Sequence, residues 1–393
     1  MANKNIPSVY IHIPFCLQMC HYCNFVKFYY KEHMAKDYLE ALAREMKRRL
    51  PKENNNVQTI YIGGGTPSAL NEKQLEKLFQ MIHEHFNIDK CKEFTIEVNP
   101  GDITEEKASL LKTYGINRIS FGVQVMDDDM LKQLGRRHRV RDVYQTVDIL
   151  AKNDFTNISL DLIYALPNQT AQQFKQSLDL ALTLRLPHYS TYGLQIEENT
   201  VFYQRFKKGQ LHRPPEEEEV QMYHTLRNTM AENGIRQYEI SNFAKTGFES
   251  KHNLNYWNNG YYYGFGAGAH AYLPGKRIAN LRALPAYIEK AKKDGMPILE
   301  IDRISLKEQI EEEMFLGLRK MAGIQKKQFE TKFNISMEAL YADEIEHLEK
   351  NGWLISDDDH IRLTEDGILV ADRVFDKFIF DDEFDVNHSR SVH

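Results

Sequence analysis

What this sequence is short of narrows it first. Its 393 residues hold four cysteines, its formal net charge is −6, and no apolar run approaches the length of a membrane span. A helical span needs about 20 consecutive apolar residues, and the first residues lack the apolar core of a signal peptide. We therefore expect a cytoplasmic protein, with association at a membrane surface left open. An acidic balance argues against a general nucleic-acid binder, which normally carries a basic excess. No second CxxC is present, so a four-donor zinc site would have to borrow His12, His21 or a distant histidine. There is no internal repeat at solenoid periods. With 42% hydrophobic and 27% charged residues, the remaining balance is that of an ordinary globular protein. The length predicts two domains.

What is there is concentrated. Cys16, Cys20 and Cys23 form a CxxxCxxC just after the apolar run Val9-Tyr10-Ile11-His12-Ile13, and the fourth cysteine, Cys91, lies far away. Thiolates that dense on a short loop suit a soft metal centre: zinc, Cu(I) or an iron–sulfur cluster. A [4Fe–4S] cluster usually takes four Cys thiolates. Three leave one iron open, and an open metal position is what a catalytic centre keeps.

From Val9 to about residue 195, β-rich runs alternate with amphipathic stretches. Expected strands are Val9–Ile13, Val57–Ile62, Glu93–Val98, Ile116–Phe121, Thr156–Ile163 and His188–Leu194; expected helices include His33–Leu50, Glu72–His85, Glu105–Tyr114 and Ala171–Leu184. Asn71 followed by Gln74 reads as an N-cap with its capping-box partner. Such alternation predicts βαβ units around a parallel sheet, an α/β fold whose ligands sit at the carboxyl ends of the strands. Gly63-Gly64-Gly65-Thr66-Pro67 ends the second strand, Glu97 the third, Gln124 the fourth and Asp161 the fifth. A glycine run lets backbone approach a ligand closely, its amides can hold a carboxylate, and its plain alternative is a tight turn. Glu97 and Asp161 sit among apolar residues, where a carboxylate is costly unless it meets donors.

After Glu197 the pattern changes. Pro214-Pro215 and four glutamates open a helix reaching about Asn233, and the acids read as a solvated helix start. An aromatic and glycine-rich stretch follows, Tyr238 to Tyr272. From Ser305 come helices including Met337–Asn351, a hairpin through Asp357-Asp358-Asp359, and a final helix near Glu365–Phe378. We expect domains at 1–195 (barrel), 196–300 (aromatic and glycine-rich extension) and 301–380 (a winged-helix-like module), then a polar tail at 381–393. The acidic residues of the module make it a packing or lid domain, not a DNA reader.

CxxxCxxC at the end of a first strand, with Tyr22 before the last Cys, resembles the radical S-adenosylmethionine (SAM) superfamily. More narrowly, Tyr10-Ile11-His12-Ile13-Pro14-Phe15-Cys16 resembles the oxygen-independent coproporphyrinogen III oxidase family, in particular its HemW-type heme chaperones. The resemblance implies a partial (β/α)6 radical SAM barrel with a smaller, mainly helical C-terminal domain. It implies a [4Fe–4S] cluster on Cys16, Cys20 and Cys23 and a SAM molecule chelating the open iron. In that pattern Gly64, Gly65 and Thr66 hold the amino group of SAM and Glu97 its ribose. Gln124, Arg136 and Asp161 are further SAM contacts, Arg136 with its carboxylate, while Tyr10 and Tyr22 line the pocket. Arg137 and Arg139 read as surface residues.

Coproporphyrinogen oxidases typically carry CxxxCxxCxC; here Asn24 and Phe25 follow Cys23. That departure matches the heme chaperones. So does His252-Asn253-Leu254-Asn255-Tyr256-Trp257, an HNxxYW in which His252 is a candidate axial ligand of heme iron; its plain alternative is an aromatic loop with a hydrogen-bonded structural histidine. His270 is a weaker candidate. The expected function is heme binding and delivery to acceptor proteins, with a one-electron donor such as a flavodoxin or ferredoxin. The alternative is oxygen-independent coproporphyrinogen III dehydrogenase, decarboxylating two propionates through a 5′-deoxyadenosyl radical.

Overall fold

The expected strands divide their residues between two faces, and that division builds the molecule. In Ser8–Ile13 (β1), Val9, Ile11 and Ile13 are fully buried in the core, while Ser8, Tyr10 and His12 point the other way. The pattern repeats in Thr59–Gly64 (β2), Glu93–Val98 (β3), Arg118–Gln124 (β4), Ile158–Tyr164 (β5) and His188–Gly193 (β6). Ile60, Ile62, Phe94, Ile96, Ile119, Phe121, Leu160 and Leu162 join one apolar core with Leu39, Leu42, Leu78 and Phe79. Those last four lie on the crossover helices Glu32–Arg49 (α1) and Glu72–His85 (α2). Each such side chain contributes roughly 1.5–3 kcal/mol on burial, so the helix-covered face is where the stability lies. Asn71 and Gln74 form the expected capping box at the start of α2.

The structure is a computed structural model and describes residues 6–51 and 55–381; the expected tail lies outside the described residues beyond Asp381. Strands β1 to β6 run parallel in sequence order, with Glu105–Thr113 (α3), Val140–Lys152 (α4) and Ala171–Leu182 (α5) completing the crossovers. Helix α4 is not singled out by the sequence reading. It follows the short helix Asp128–Gln133 and buries only Val143, Thr146 and Leu150, a thin apolar stripe.

The sheet does not stop at six strands. After Glu216–Glu232 (α6) come Arg236–Glu239 (β7), Asn242–Ala244 (β8), the helix Lys251–Trp257 (α7) and Tyr262–Phe265 (β9). His270–Leu273 (β10), Lys276–Asn280 (β11) and Ile298–Arg303 (β12) follow. Among the described residues the order is β12-β11-β10-β9-β1-β2-β3-β4-β5-β6-β8-β7, twelve strands in an open sheet rather than a closed barrel. Strand β9 runs parallel to β1. The aromatic and glycine-rich stretch thus supplies sheet strands on both flanks, plus α7, which the sequence reading treats as a loop.

The C-terminal helices Leu306–Gly317, Lys326–Phe333 and Met337–Lys350 pack with a three-stranded sheet that contains the expected aspartate hairpin. The single last helix expected at Glu365–Phe378 is instead three short pieces. Val370 leaves helical geometry (φ −119°, ψ 26°), and the break lets Ile368, Ala371, Val374 and Phe378 all reach the core. Among the described residues no helix is long and apolar enough to cross a membrane.

Candidate functional site

The face of the parallel strands turned away from the helices is polar. A parallel strand covered on both faces normally reads as a continuous apolar run. Here Tyr61, Glu97, Arg118, Ser120, Ser159, Asp161, Ser190 and Tyr192 line one cavity of about 510 Å3. Its rim, at the carboxyl ends of the strands, carries the cysteine loop and the glycine tract; its floor, toward the amino ends, is closed by α7.

The cysteine loop is pinned from both sides. Phe15–Cys16 pairs with Phe28–Tyr29, closing the loop at its base. The His21 amide donates to the Leu134 carbonyl (2.9 Å), and the Gln18 amide group donates to the Gly135 carbonyl (2.8 Å). Cys16 is buried, Cys20 and Cys23 half-buried, and all three line the cavity. Burial pushes the Cys16 thiol up to about 12. A four-iron cluster takes each thiolate on a separate iron, and three thiols on one pinned loop that all line the cavity fit such a cluster.

The glycine tract lies directly under this loop. Gly64 has φ +121°, and a Cβ there would sit 2.7 Å from the His12 ring; one on Gly65 would meet the Phe15 backbone at 2.9 Å and the Cys16 sulfur at 3.0 Å. No other residue allows that approach. One of the tract's amides holds a carboxylate from the protein itself: the Gly64 amide donates to Glu97 Oε2 (3.0 Å), while the Gly65 amide donates to the Ile13 carbonyl (2.9 Å). The Gly65 carbonyl accepts from Thr66 Oγ1 (2.7 Å). Thr66 Oγ1 stands 3.7 Å from Cys16 Sγ and accepts from the Asn99 amide at 2.9 Å.

Glu97 also accepts from the Tyr61 hydroxyl (2.9 Å), and burial raises its carboxyl to about 7. Asp161 accepts from Ser120 Oγ (3.4 Å), and burial raises it to about 6. Arg136 donates to Asn99 Oδ1 (2.6 Å), to the Gly122 carbonyl and toward Cys20 Sγ (3.4 Å), so its charge stands between the loop and the cavity. Gln124, at the end of β4 with φ +75°, and Tyr22 complete the rim. Tyr10 is not in the cavity wall: it stacks near Tyr61 and shares a 2.9 Å hydrogen bond with His12 Nδ1. Arg137 pairs with Asp102 outside the cavity, and the Arg139 amide donates to Asp142 at the start of α4.

His252 is not presented to open space. It is 1% exposed. Its Nδ1 shares a hydrogen bond with Thr59 Oγ1 and its Nε2 with the Tyr256 hydroxyl, both at 2.8 Å. Burial holds it near 3, hence neutral. Glu93, at the start of β3, accepts from the backbone amides of Lys251 (2.8 Å) and His252 (2.9 Å) and so fastens α7 across the floor. From this helix Asn253 reaches the cavity wall. His270 is exposed, on β10.

Sequence reasoning misses Tyr61, Asn99, Arg118 and Asn253 as cavity residues. The signal for two of them is the period-2 alternation: Tyr61 and Gly63, or Arg118, Ser120 and Gly122, put polar or small residues on every second position of strands that are otherwise apolar.

A model of the radical SAM superfamily matches residues 10–181, and one of the HemN C-terminal domain matches residues 304–370. The chain is 44% identical over 374 residues to the heme chaperone HemW of Bacillus subtilis (strain 168), covering 95% of this chain and 99% of that one. It is 43% identical over 375 residues to the heme chaperone HemW of Lactococcus lactis subsp. lactis (strain IL1403), covering 95% and 98%. Among solved structures it is similar to coproporphyrinogen III oxidase (HemN) from Escherichia coli, with a TM-score of 0.84 at 22% identity over 95% of this chain and 90% of that one. At that identity the likeness is one of fold.

Proposed function

We propose, on the premise that this chain belongs to the radical SAM superfamily and within it to the family of the heme chaperone HemW, that it binds heme as cargo and passes it to acceptor proteins. The observation that carries this reading is the likeness to two HemW heme chaperones over nearly the whole of both chains. The superfamily's cofactors are a [4Fe–4S] cluster and SAM; bound, they supply one-electron cleavage of the sulfonium, chemistry that belongs to the cofactor rather than the protein.

On this reading Cys16, Cys20 and Cys23 hold three irons and leave the fourth to SAM. The carbonyls of Gly64 and Gly65, with Thr66, receive its amino group. Arg136 faces its carboxylate, Glu97 its ribose, and Gln124, Asp161 and Tyr22 close around it. What supports this is that all eleven of these residues line one cavity. Tyr10 acts at one remove, by holding His12. We assign the barrel to 1–195, the extension to 196–300 and the C-terminal module to 301–380, the last supported by the HemN C-terminal match at 304–370. We place the protein in the cytoplasm, served by a flavodoxin- or ferredoxin-like donor. His252 reaches heme iron only if its ring gives up the bond to Thr59 or to Tyr256.

Titrating anaerobically reconstituted protein with heme tests this. Saturable binding seen in the Soret band, transfer of that heme to an apo-acceptor and no protoporphyrinogen from coproporphyrinogen III are expected. Cluster-dependent porphyrinogen turnover would sink the chaperone reading. His252→Ala is expected to weaken heme binding and leave the cluster spectrum intact.

A further inference from the structure

Two arginines line the cavity, and only one is accounted for. Arg136 sits at the rim and spends its donors on Asn99, Gly122 and Cys20. Arg118 opens β4 at the floor, is 2% exposed, and ranks first by volume among the fully buried side chains. It makes no ion pair among the described residues, and its Nε has no hydrogen-bond partner. A guanidinium cannot shed its proton, and leaving one buried without a counter-ion is among the more costly arrangements in a protein.

The carboxylates that share the cavity do not fill this role. Glu97 is held by Tyr61 and Gly64, and Asp161 by Ser120. Burial outweighs the pull of Arg118 at both; they act on Arg118 through space and make no direct ion pair with it among the described residues. His188 and His252 are kept uncharged, by burial first and by Arg118 second. Thr95, opposite Arg118 in the β3–β4 register, has a buried hydroxyl without a partner. A buried guanidinium with an unpartnered Nε and no direct ion pair, open to a cavity, can receive an anion.

Position decides which anion. Arg118 and Gln124 are the first and last residues of a seven-residue strand, roughly 20 Å apart at about 3.3 Å per residue. A group chelated at the cysteine rim therefore does not present the same carboxylate to Arg118. We propose that Arg118 binds a carboxylate of the cargo, a propionate of the tetrapyrrole, at the floor beside His252. The proposal rests on the heme-binding reading above.

The test compares heme with its dimethyl ester on the reconstituted full chain, each titrated into the unchanged protein, R118Q and R118K. Loss of one charge-assisted pair predicts roughly 10- to 100-fold weaker binding of the ester to the unchanged protein. R118Q should show the same loss for heme but little further loss for the ester, and R118K should recover part of it. Because the ester arm needs no variant, it holds even if R118Q folds poorly. Equal affinity for heme and ester in the unchanged protein overturns the proposal and leaves the chaperone reading standing. Weakened SAM binding in R118Q with heme unaffected also overturns it, giving the residue to SAM. Failure of heme to bind the unchanged protein removes the chaperone reading, and this proposal with it.

Discussion

The rim and the floor of the same cavity are built on opposite principles. At the rim, backbone does most of the positioning: Gly64 and Gly65 allow the chain to pass within contact of His12, Phe15 and Cys16, and the cysteine loop hangs by hydrogen bonds from the His21 amide and the Gln18 side chain to the carbonyls of Leu134 and Gly135. At the floor, side chains do it. Glu93 caps α7, His252 bridges Thr59 and Tyr256, and Arg319 lies over Trp257 at 4.6 Å, where the C-terminal module meets the helix. The rim is thus shaped to receive a group that the fold does not complete by itself. The floor is largely held by its own side chains, and Arg118 is its unpaired cation among the described residues.

If that contrast is right, damage at the two ends differs in kind. The largest effect is at the rim: Cys16, Cys20 and Cys23 changed together to Ser should abolish the cluster while the far-UV circular dichroism and melting of the cluster-free protein barely change. Brown, iron-bearing protein persisting in the triple variant would undo the whole account of the site. Next comes the floor. Glu93→Ala removes the acceptor from the buried His252 amide, the part-buried Lys251 amide and Ser250 Oγ. Each buried donor left unmet costs about 1–3 kcal/mol, so a loss of roughly 3–4 kcal/mol in denaturant unfolding is expected. Cluster content per folded molecule should hold. A Glu93→Ala protein of unchanged stability would mean that α7 does not seal the floor.

The same contrast explains what could be read in advance. Cys16–Cys23, Gly63–Pro67 and the strand ends at Glu97 and Gln124 are local patterns, and the structure brings them to one rim. The floor joins Thr59, Glu93, Arg118 and His252 from four separate segments. Nothing local marks Thr59 or Glu93 as partners of a histidine 193 and 159 residues away, so HNxxYW reads as a loop with an available ligand. Its burial comes from long-range packing, which no window of sequence contains. The break at Val370 escapes for the same reason, since it is set by which face of the last segment meets the core.

The smallest effect lies between the two ends, at Glu97, and pH exposes it. Burial raises this carboxyl to about 7 in the folded chain, against about 4.3 for an unperturbed glutamate. The folded state therefore holds its proton more tightly than the unfolded state does. A group shifted upward contributes stability that is fully present below its unfolded value and is lost as pH rises through its folded value. The cluster-free protein should then lose on the order of 2 kcal/mol between about pH 4.5 and 7.5 from this group. Glu97→Gln, which cannot ionise, should flatten that part of the profile. Asp161, raised to about 6, contributes to the slope that remains over the lower part of the window. Equal pH profiles for the two proteins in urea unfolding would mean that Glu97 is already ionised in the fold, paired with a charge at the floor. Arg118 would be the one cation placed to do it, and the anion site proposed there would then be filled by the protein itself.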